Sequence, residues 1–527
     1  MAAKSSVLLR GGTVLTHSAD DHVIPLYDTD VLVRDNVIAE VRKNIAPLSE
    51  QTEIIDCQGK IVSPGFVDTH HHLWQTQLKG RHAEQGLLSY MVSGNMMSYA
   101  YTSEDAYWGQ LSGCLEALNA GTTLVLDHAH LAYTPEHANS ALSATIDSGI
   151  RSIFAYTVPF RLSHWDQSSC TPSHDLLPDW AMKQLEDWVE KYNRPASTSA
   201  PEAPGIVEVG MGFDLWFLPK EMVLDMFERL RKKGLRVLTT HTGRNVLMGL
   251  QSIIPMFSSY NLLRPPYPPS DNKPTLPFLL LSHCNGIPDT DLSLLTSTGT
   301  PVSSTPDTES QMMGFPLALH PAFQTTRSAN ASLGIDCHSN NPSSIPLQAR
   351  ALLYLTRAET NSHITADDKF PSRNVTGTSE TAFNLATIRG ARCLGLDSEV
   401  GSIAKGKRAD LVVFDAQNSV GMLGAAEYDP VVAVVRFSET ADIETVIVNG
   451  VVRKRDGKLV DVSVSADGVS GKRVGGTTTI TPWSRIAEQV RKTQREIQVR
   501  IDKLNLELGR ETLLDAWHVD QTKLVDV

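Results

Sequence analysis

The sequence predicts an α/β chain: a (β/α)8 TIM-type barrel, a small composite β-sandwich formed from both chain ends, and a C-terminal helical extension. Three observations carry that expectation. Between about residues 62 and 334, eight short apolar runs alternate with helix-like segments at a mean spacing of about 40 residues, as buried parallel strands with crossover helices require. The two flanks share a different texture, short β-rich runs cut by Gly and Asp-Asn turns. Beyond a Gly/Thr-rich stretch, the last segment is a charged helix with an apolar stripe.

Taken in order, residues 1–62 hold VLLRGGTVLT, TDVLVRDNVIAEV and EIIDCQGKIV, the N-terminal part of the sandwich. Residues 63–397 form the barrel, with strands in IVSPGFVDT, TTLVLDH, RSIFAYT, IVEVGMGF, RVLTTH, FLLLSH, TPVSST and ASLGID. Thr102 and Asp105 cap SEDAYWGQLSGCLEALNAG, whose Leu111, Leu115 and Leu118 repeat at helical spacing. PKEMVLDMFERLRKKG opens at Pro219, is expected to bury Met222, Met226, Phe227 and Leu230, and ends at Gly234. Between the third and fourth strands, residues 168–205 contain a helix-like segment and then NRPASTSAPEAPG, a surface excursion by composition. Residues 398–462 return to short β runs and complete the sandwich. Residues 463–527 comprise the linker GVSGKRVGGTTTIT and a helix with Ile486, Val490, Ile497, Ile501, Leu504 and Leu508 on one face, which docks on its own subunit or makes a dimer contact.

The composition is that of an ordinary globular protein, 41% hydrophobic and 20% charged. A net charge of -12 offers no basic footprint for nucleic acid. MAAKSSVLLRGG lacks an apolar run suited to a signal peptide and no stretch of about 20 apolar residues is found, so a cytoplasmic protein without a membrane partner is expected. The six cysteines are scattered without a C-x-x-C pair, which argues against a disulfide framework and a structural zinc knuckle.

The chemistry is expected at the C-terminal ends of the barrel strands. His70 and His72 close the first strand, and period-2 alternation sends both to one side and His71 to the other. His241 closes the fifth strand, His283 the sixth and Asp336 the eighth. A single strand-end His or Asp usually satisfies a loop amide, but five in one barrel is a constellation. Asp68 shares parity with His70 and His72 and is expected to orient a ligand or to serve the turn.

Several segments together resemble the amidohydrolase superfamily of metal-dependent barrels, in its cytosine deaminase and chlorohydrolase-like branch. PGFVDTHHHLWQT is similar to that branch's first strand, LEALNAGTTLVLDH to its second, VSSTPDTESQMMGFP to its seventh, SLGIDCHSN to its eighth, and GSIAKGKRADLVVFD with VIVNG to its C-terminal sandwich. The resemblance spans roughly residues 5–462. It implies one divalent metal on His70, His72, His241 and Asp336, with His283 beside it in acid-base work. The donor set suits zinc, with iron(II) as the alternative, and an open position would hold a water whose pKa falls to roughly 7. The resulting hydroxide would attack an sp2 carbon, Asp336 taking its proton and His283 serving the leaving group. Binuclear members carry a strand-four lysine; IVEVGMGF has none, so one metal per chain is expected.

One departure bears on the reaction. Deaminases of this branch carry a glutamate three residues after the strand-five histidine, where this chain has Arg244. Glu309, just after the seventh strand, is the candidate replacement, against a plain pairing with a loop cation. Arg244 is a candidate to hold a substrate carboxylate. Gln75, Trp74, His130 and His338 are further substrate-site candidates; packing is the alternative for Trp74, and His128 with His130 could instead form a second metal pair or ordinary loop polarity. Met96, Met97, Met312 and Met313 line a pocket or fill the core.

The expected function is hydrolysis of a small, heterocyclic substrate with release of ammonia or an amine. Cyclic-amide opening and a non-hydrolytic lyase or cyclase reaction at the same metal are the alternatives, and a metal-free binding or assembly barrel is a further one. A homodimer or homotetramer is expected.

Overall fold

A computed structural model of the chain describes residues 6–193, 206–266, 275–324 and 330–525. The excursion expected at 193–205 lies, from residue 194 on, outside the described residues. The eight apolar runs become the strands Phe66–His72, Thr122–Ala129, Arg151–Tyr156, Val207–Gly212, Val237–Gly243, Phe278–Asn285, Val302–Ser304 and an eighth in two pieces, Ala331–Leu333 and Asp336–Cys337. Each pairs in parallel with its neighbour, and the last piece returns to the first strand with Asp336 opposite His71 and Cys337 opposite His72, closing the ring. The strands are buried on both faces, which is why they read as near-continuous apolar runs.

The eighth strand breaks at Gly334 because the chains there approach too closely for a side chain. A Cβ on Gly334 would lie 2.6 Å from the His70 carbonyl oxygen and 2.8 Å from its nitrogen. Instead Ile335 N–H donates to the His70 carbonyl (3.0 Å) and Gly334 N–H to that of Ser304 (2.8 Å). The first strand is also irregular. Its register against the second gains a residue between Asp68 and His71, a bulge that turns His70 and His72 onto the inner side together with Thr69, whose hydroxyl meets Ser303 and Ser332. Strict alternation therefore fails at Asp68, whose carboxylate bonds the ring of His71 rather than that of His70 or His72, the histidines of its own parity.

The helix Ser103–Asn119 starts with the expected capping box between Thr102 and Asp105. Lys220–Lys233 begins right after Pro219, which makes no side-chain cap, and is stopped by Gly234 at φ 117°. Its buried face is Val223, Met226, Phe227 and Leu230, an i, i+3, i+4, i+7 set; Met222, placed inside by the sequence reading, is 51% exposed because it lies one residue off that stripe.

Strands from both chain ends join in one further nine-stranded sheet, where Ile61–Pro64 runs antiparallel to Leu411–Phe414. Val7, Leu9, Val14, Val31 and Val33 pack there with Leu411, Val413 and Ile447. The expected linker is partly ordered: Thr478–Thr481, rich in β-branched residues, pairs with Val462–Ser465. The C-terminal segment forms two helices rather than one, Trp483–Ile501 and Leu506–Ala516, because the Asn505 side chain caps the second through Glu507 and Leu508 N–H. Ile497, Ile501 and Leu513 pack on Trp74, Leu78, Met96 and Met97, so the extension docks on its own barrel and the two methionines are core filler. No helix among the described residues is long and apolar enough to cross a membrane.

Candidate active site

The bulged first strand delivers His70 and His72, the fifth strand His241, and the eighth Asp336; one ligand atom from each lies within 4.8 Å of all the others. Each histidine is held by its Nδ1. His70 Nδ1 meets the Ser282 hydroxyl (2.9 Å), His72 Nδ1 the His128 carbonyl (2.9 Å), and His241 Nδ1 a carboxylate oxygen of Asp214 (2.9 Å). A carbonyl and a carboxylate only accept, so His72 and His241 carry their protons on Nδ1 and present bare Nε2 atoms. Those two Nε2 atoms face each other at 3.2 Å. Asp336 Oδ1 lies 3.1 Å from His72 Nε2 and 3.2 Å from His70 Nε2, which is buried without a hydrogen-bond partner. Converging lone pairs and a carboxylate with no proton between them fit a divalent cation. Three neutral imidazoles and one carboxylate are the donor chemistry of such a site.

Electrostatics agree with that fit at His70, His72 and Asp336, while the Asp214 carboxylate outweighs burial and holds His241 above the ordinary histidine range. Burial drives His70 and His72 below the ordinary histidine range, so both are neutral, as ligands must be. Burial would raise Asp336, but His283, His70 and His72 outweigh it and keep the carboxylate ionised. Two of the residues sit on left-handed backbone, His283 at φ 77° and Asp336 at φ 69°. Such conformations cost on the order of 1–3 kcal/mol each and concentrate where a side chain must be aimed.

His283 stands beside the donor set with Nε2 3.9 Å from Asp336 Oδ2. Its Nδ1 lies 3.0 Å from the Thr305 hydroxyl and 3.4 Å from Glu309 Oε1. Glu309 is fully buried, and neither carboxyl oxygen has a hydrogen-bond partner among the described residues; the 3.4 Å approach to His283 is a contact without bonding geometry. Burial raises its pKa, with His283 acting the other way.

The remaining candidates separate into two groups. His130 lies ring to ring on His72, with centroids 4.0 Å apart, and accepts from the Trp74 indole N–H, so both stay close to the donor set. Gln75 donates to the Tyr90 hydroxyl and accepts from Ser339. Arg244 and His338 are not brought in. Arg244 is exposed and its Nε donates to the Leu250 carbonyl. His338 faces the opposite side of the strands, where its Nδ1 lies 3.1 Å from His71 Nε2.

Sequence reasoning missed Asp214. It follows directly on the fourth-strand run IVEVGMGF, and a carboxylate at a strand end is the signal the sequence offers for it. Asp214 accepts from His241 N–H (2.9 Å), His241 Nδ1 and the Thr240 hydroxyl (2.8 Å), and its Oδ2 lies 3.3 Å from His128 Nε2. His128, Asp214 and His241 thus form a second cluster of ligand-type atoms. It shares His241, whose Nδ1 is already committed to Asp214, so the cluster is accounted for as the support of the first.

The family model described as the amidohydrolase family matches residues 61–245 and 293–453, more than half of the chain. Among curated proteins, the 5'-deoxyadenosine deaminase of Methanothermobacter thermautotrophicus is 25% identical over 434 residues, covering 81% of this chain and 90% of that protein. A 5-methylthioadenosine/S-adenosylhomocysteine deaminase of Acetivibrio thermocellus is 24% identical over 464 residues, covering 86% and 96%. Among solved structures, an adenosine deaminase from Xanthomonas campestris with bound zinc shares the fold with a TM-score of 0.68 at 18% identity, covering 94% of this chain and 99% of that one. An atrazine chlorohydrolase from Arthrobacter aurescens complexed with zinc does so with a TM-score of 0.68 at 18% identity, covering 93% and 100%. The family-model match over more than half of the chain establishes that it belongs to the amidohydrolase family.

Proposed function

We propose that this protein is a mononuclear zinc deaminase that hydrolyses the exocyclic C–N bond of an aminated heterocycle, with aminated purines as the first class to test. The observation that carries the reading is the pair of bare imidazole nitrogens, His72 Nε2 and His241 Nε2, facing each other at 3.2 Å beside His70 and Asp336. The curated relatives named above, deaminases of adenine nucleosides, support the substrate class. Zinc is favoured over iron(II) by a donor set of three imidazoles and one carboxylate.

His70, His72, His241 and Asp336 would hold the metal. Bound there, zinc supplies Lewis acidity that brings a water's pKa to about 7. The chain's own groups manage the protons. Asp336 keeps Oδ2 toward His283 and accepts a proton from the attacking water. His283, fixed through Nδ1 by Thr305, presents Nε2 to the same space and carries a proton to the departing amine. Glu309, buried beside His283 Nδ1 at 3.4 Å, is assigned the delivery of the proton that the substrate's ring nitrogen takes up as its carbon becomes tetrahedral, the role left open at Arg244. His130 and Trp74 close the side of the site next to His72 and exclude water.

Opening of a cyclic amide is the second reading, favoured by the absence of a carboxylate three residues after His241. Zinc-loaded protein assayed for ammonia across aminated purines, pyrimidines, triazines and pterins, with cyclic amides in parallel, separates the two. Ammonia from an amine supports deamination; turnover of amides alone overturns it. A homo-oligomer belongs to the proposal because the docked extension still exposes Ile480, Trp483 and Val499.

A further inference from the structure

His130 follows the second barrel strand by one residue, on the rim where the donor set ends its strands. It is buried, its ring centroid lies 4.0 Å from that of His72, and the ionisable side chains that act on it are His72, His128 and His241. The Trp74 indole N–H, which can only donate, lies 3.2 Å from His130 Nδ1. Nδ1 therefore offers a lone pair, the ring is neutral, and its one proton sits on Nε2. That Nε2–H is buried without a hydrogen-bond acceptor among the described residues. It lies across the ring from Nδ1 and so points away from Trp74.

Other imidazole nitrogens are also buried without a partner, but each of them is a bare lone pair. His17 Nε2 donates to Asn384 Oδ1, which leaves Nδ1 bare. Ser339 spends its hydroxyl proton on Gln75, so His82 Nδ1 donates to Ser339 and its idle Nε2 is bare. Asp68 holds the His71 proton on Nδ1, so His338 Nδ1 donates to His71 Nε2, and the idle Nε2 of His338 is bare in turn. His128 aims Nε2 at Asp214 Oδ2 (3.3 Å) and leaves Nδ1 bare, while His70 Nε2 belongs to the donor set. Among the imidazole nitrogens buried without a partner in the described residues, His130 Nε2 is thus the one that leaves a proton unused. Buried N–H groups without an acceptor are rare in folded proteins, and this one stands against the ring of His72.

We propose that His130 Nε2–H is a recognition donor for an uncharged acceptor in the substrate's ring, a ring nitrogen or a ring carbonyl oxygen, and that Trp74 is the positioning residue that fixes the donor tautomer. The assignment deepens the deaminase reading and rests on it for the position of the ring. A neutral N–H with its own charge balanced pairs with a neutral lone pair and has no use for a carboxylate or phosphate. Its contact with His72 places the acceptor close to the reacting carbon, and so in the ring rather than in a tail. A ring that brings carbon where the acceptor belongs leaves the N–H buried and unpaired, which is the strong form of discrimination between near-isosteres.

The test compares zinc-loaded wild type with His130→Phe, which removes the donor, and His130→Gln, whose amide restores one, at equal zinc content. Three pairs each differ by one ring acceptor: adenosine against 3-deazaadenosine, adenosine against 7-deazaadenosine, and cytosine against 4-aminopyrimidine. The intrinsic reactivity of each ring cancels when wild type and variant are compared. In at least one pair the kcat/KM ratio favouring the acceptor is expected to fall about 10-fold or more in His130→Phe and to recover in part in His130→Gln. Ratios unchanged by His130→Phe in every pair overturn the assignment. The tautomer is read without substrate: long-range proton–nitrogen spectra of histidine-labelled wild type, with the His130 signals identified by their loss in His130→Gln, are expected to place the proton on Nε2. A proton on Nδ1 overturns it. If none of these amines releases ammonia, the deaminase reading fails for these classes. Calorimetric titration of the same compounds into wild type and His130→Phe then decides the recognition role by the same ratios, equal affinity within every pair or no binding overturning it.

Discussion

His72 and His241 meet Nε2 to Nε2 at 3.2 Å, each with its other nitrogen committed to an oxygen that only accepts. Two lone pairs at that separation repel unless a cation lies between them. Dialysed protein exposed to zinc is therefore expected to retain one equivalent per chain, and His72→Ala to retain none. Saturation at about 1,000 times the dissociation constant stabilises the fold by roughly 4 kcal/mol, so a chelator should lower the melting temperature of wild type and leave His72→Ala unmoved. Two tightly held equivalents would show that His128, Asp214 and His241 form a metal site of their own.

Glu309 is buried with its carboxyl beside His283 and no hydrogen-bond partner for either oxygen among the described residues. Glu309→Gln keeps shape and removes the transferable proton. Its kcat should fall by about 10²–10⁴-fold at unchanged zinc content. A loss of only a few-fold in single-turnover kinetics would make Glu309 a packing residue.

His71 points away from the donor set but is not idle. Asp68 Oδ2 lies 2.7 Å from His71 Nδ1, His71 Nε2 lies 3.1 Å from His338 Nδ1, and Asp68 Oδ1 accepts from His70 N–H and Ile335 N–H, both at 3.2 Å. This chain ties the first strand to the eighth, and so the histidine ligands to Asp336. His71→Phe leaves the Asp68 carboxylate buried without its nearest donor and is expected to destabilise the fold by about 1–3 kcal/mol. Urea unfolding of the apoprotein measures this, and a change under 1 kcal/mol would mean the link carries nothing.

His17 reports on the second sheet through pH. Burial lowers its pKa to about 4, against the hydrogen bond to Asn384 that would raise it. The unfolded chain takes up this proton near pH 6.5 and the folded chain near pH 4. Stability from keeping His17 neutral is thus complete above pH 6.5 and is lost as pH falls toward 4, by roughly 3 kcal/mol at the low end. His17→Phe, stacked on Phe383, should show a flatter stability profile over that window; parallel profiles for the two proteins would contradict the assignment.

Much of this was legible in the residues. Eight apolar runs gave eight strands, and His70, His72, His241, His283 and Asp336 meet because they close strands of one barrel. The bulge between Asp68 and His71 was not legible, since no Gly or Pro marks it and only the neighbour's register reveals it. The break in the eighth strand was marked by Gly334, though what forbids a side chain there is the His70 backbone, more than 260 residues earlier. Met222 misled because a long apolar residue one position off the stripe resembles a core residue in a list and not on a helix.

The central claim is that four side chains from three strands hold one metal for attack on an aminated ring carbon. Ammonia release by protein loaded with one zinc per chain, measured across aminated purines, pyrimidines, triazines and pterins, tests it most directly. Turnover of at least one such amine is expected, abolished by His72→Ala and by removal of zinc. Silence across the amines with turnover of a cyclic amide, or ammonia release that persists without metal, would contradict it.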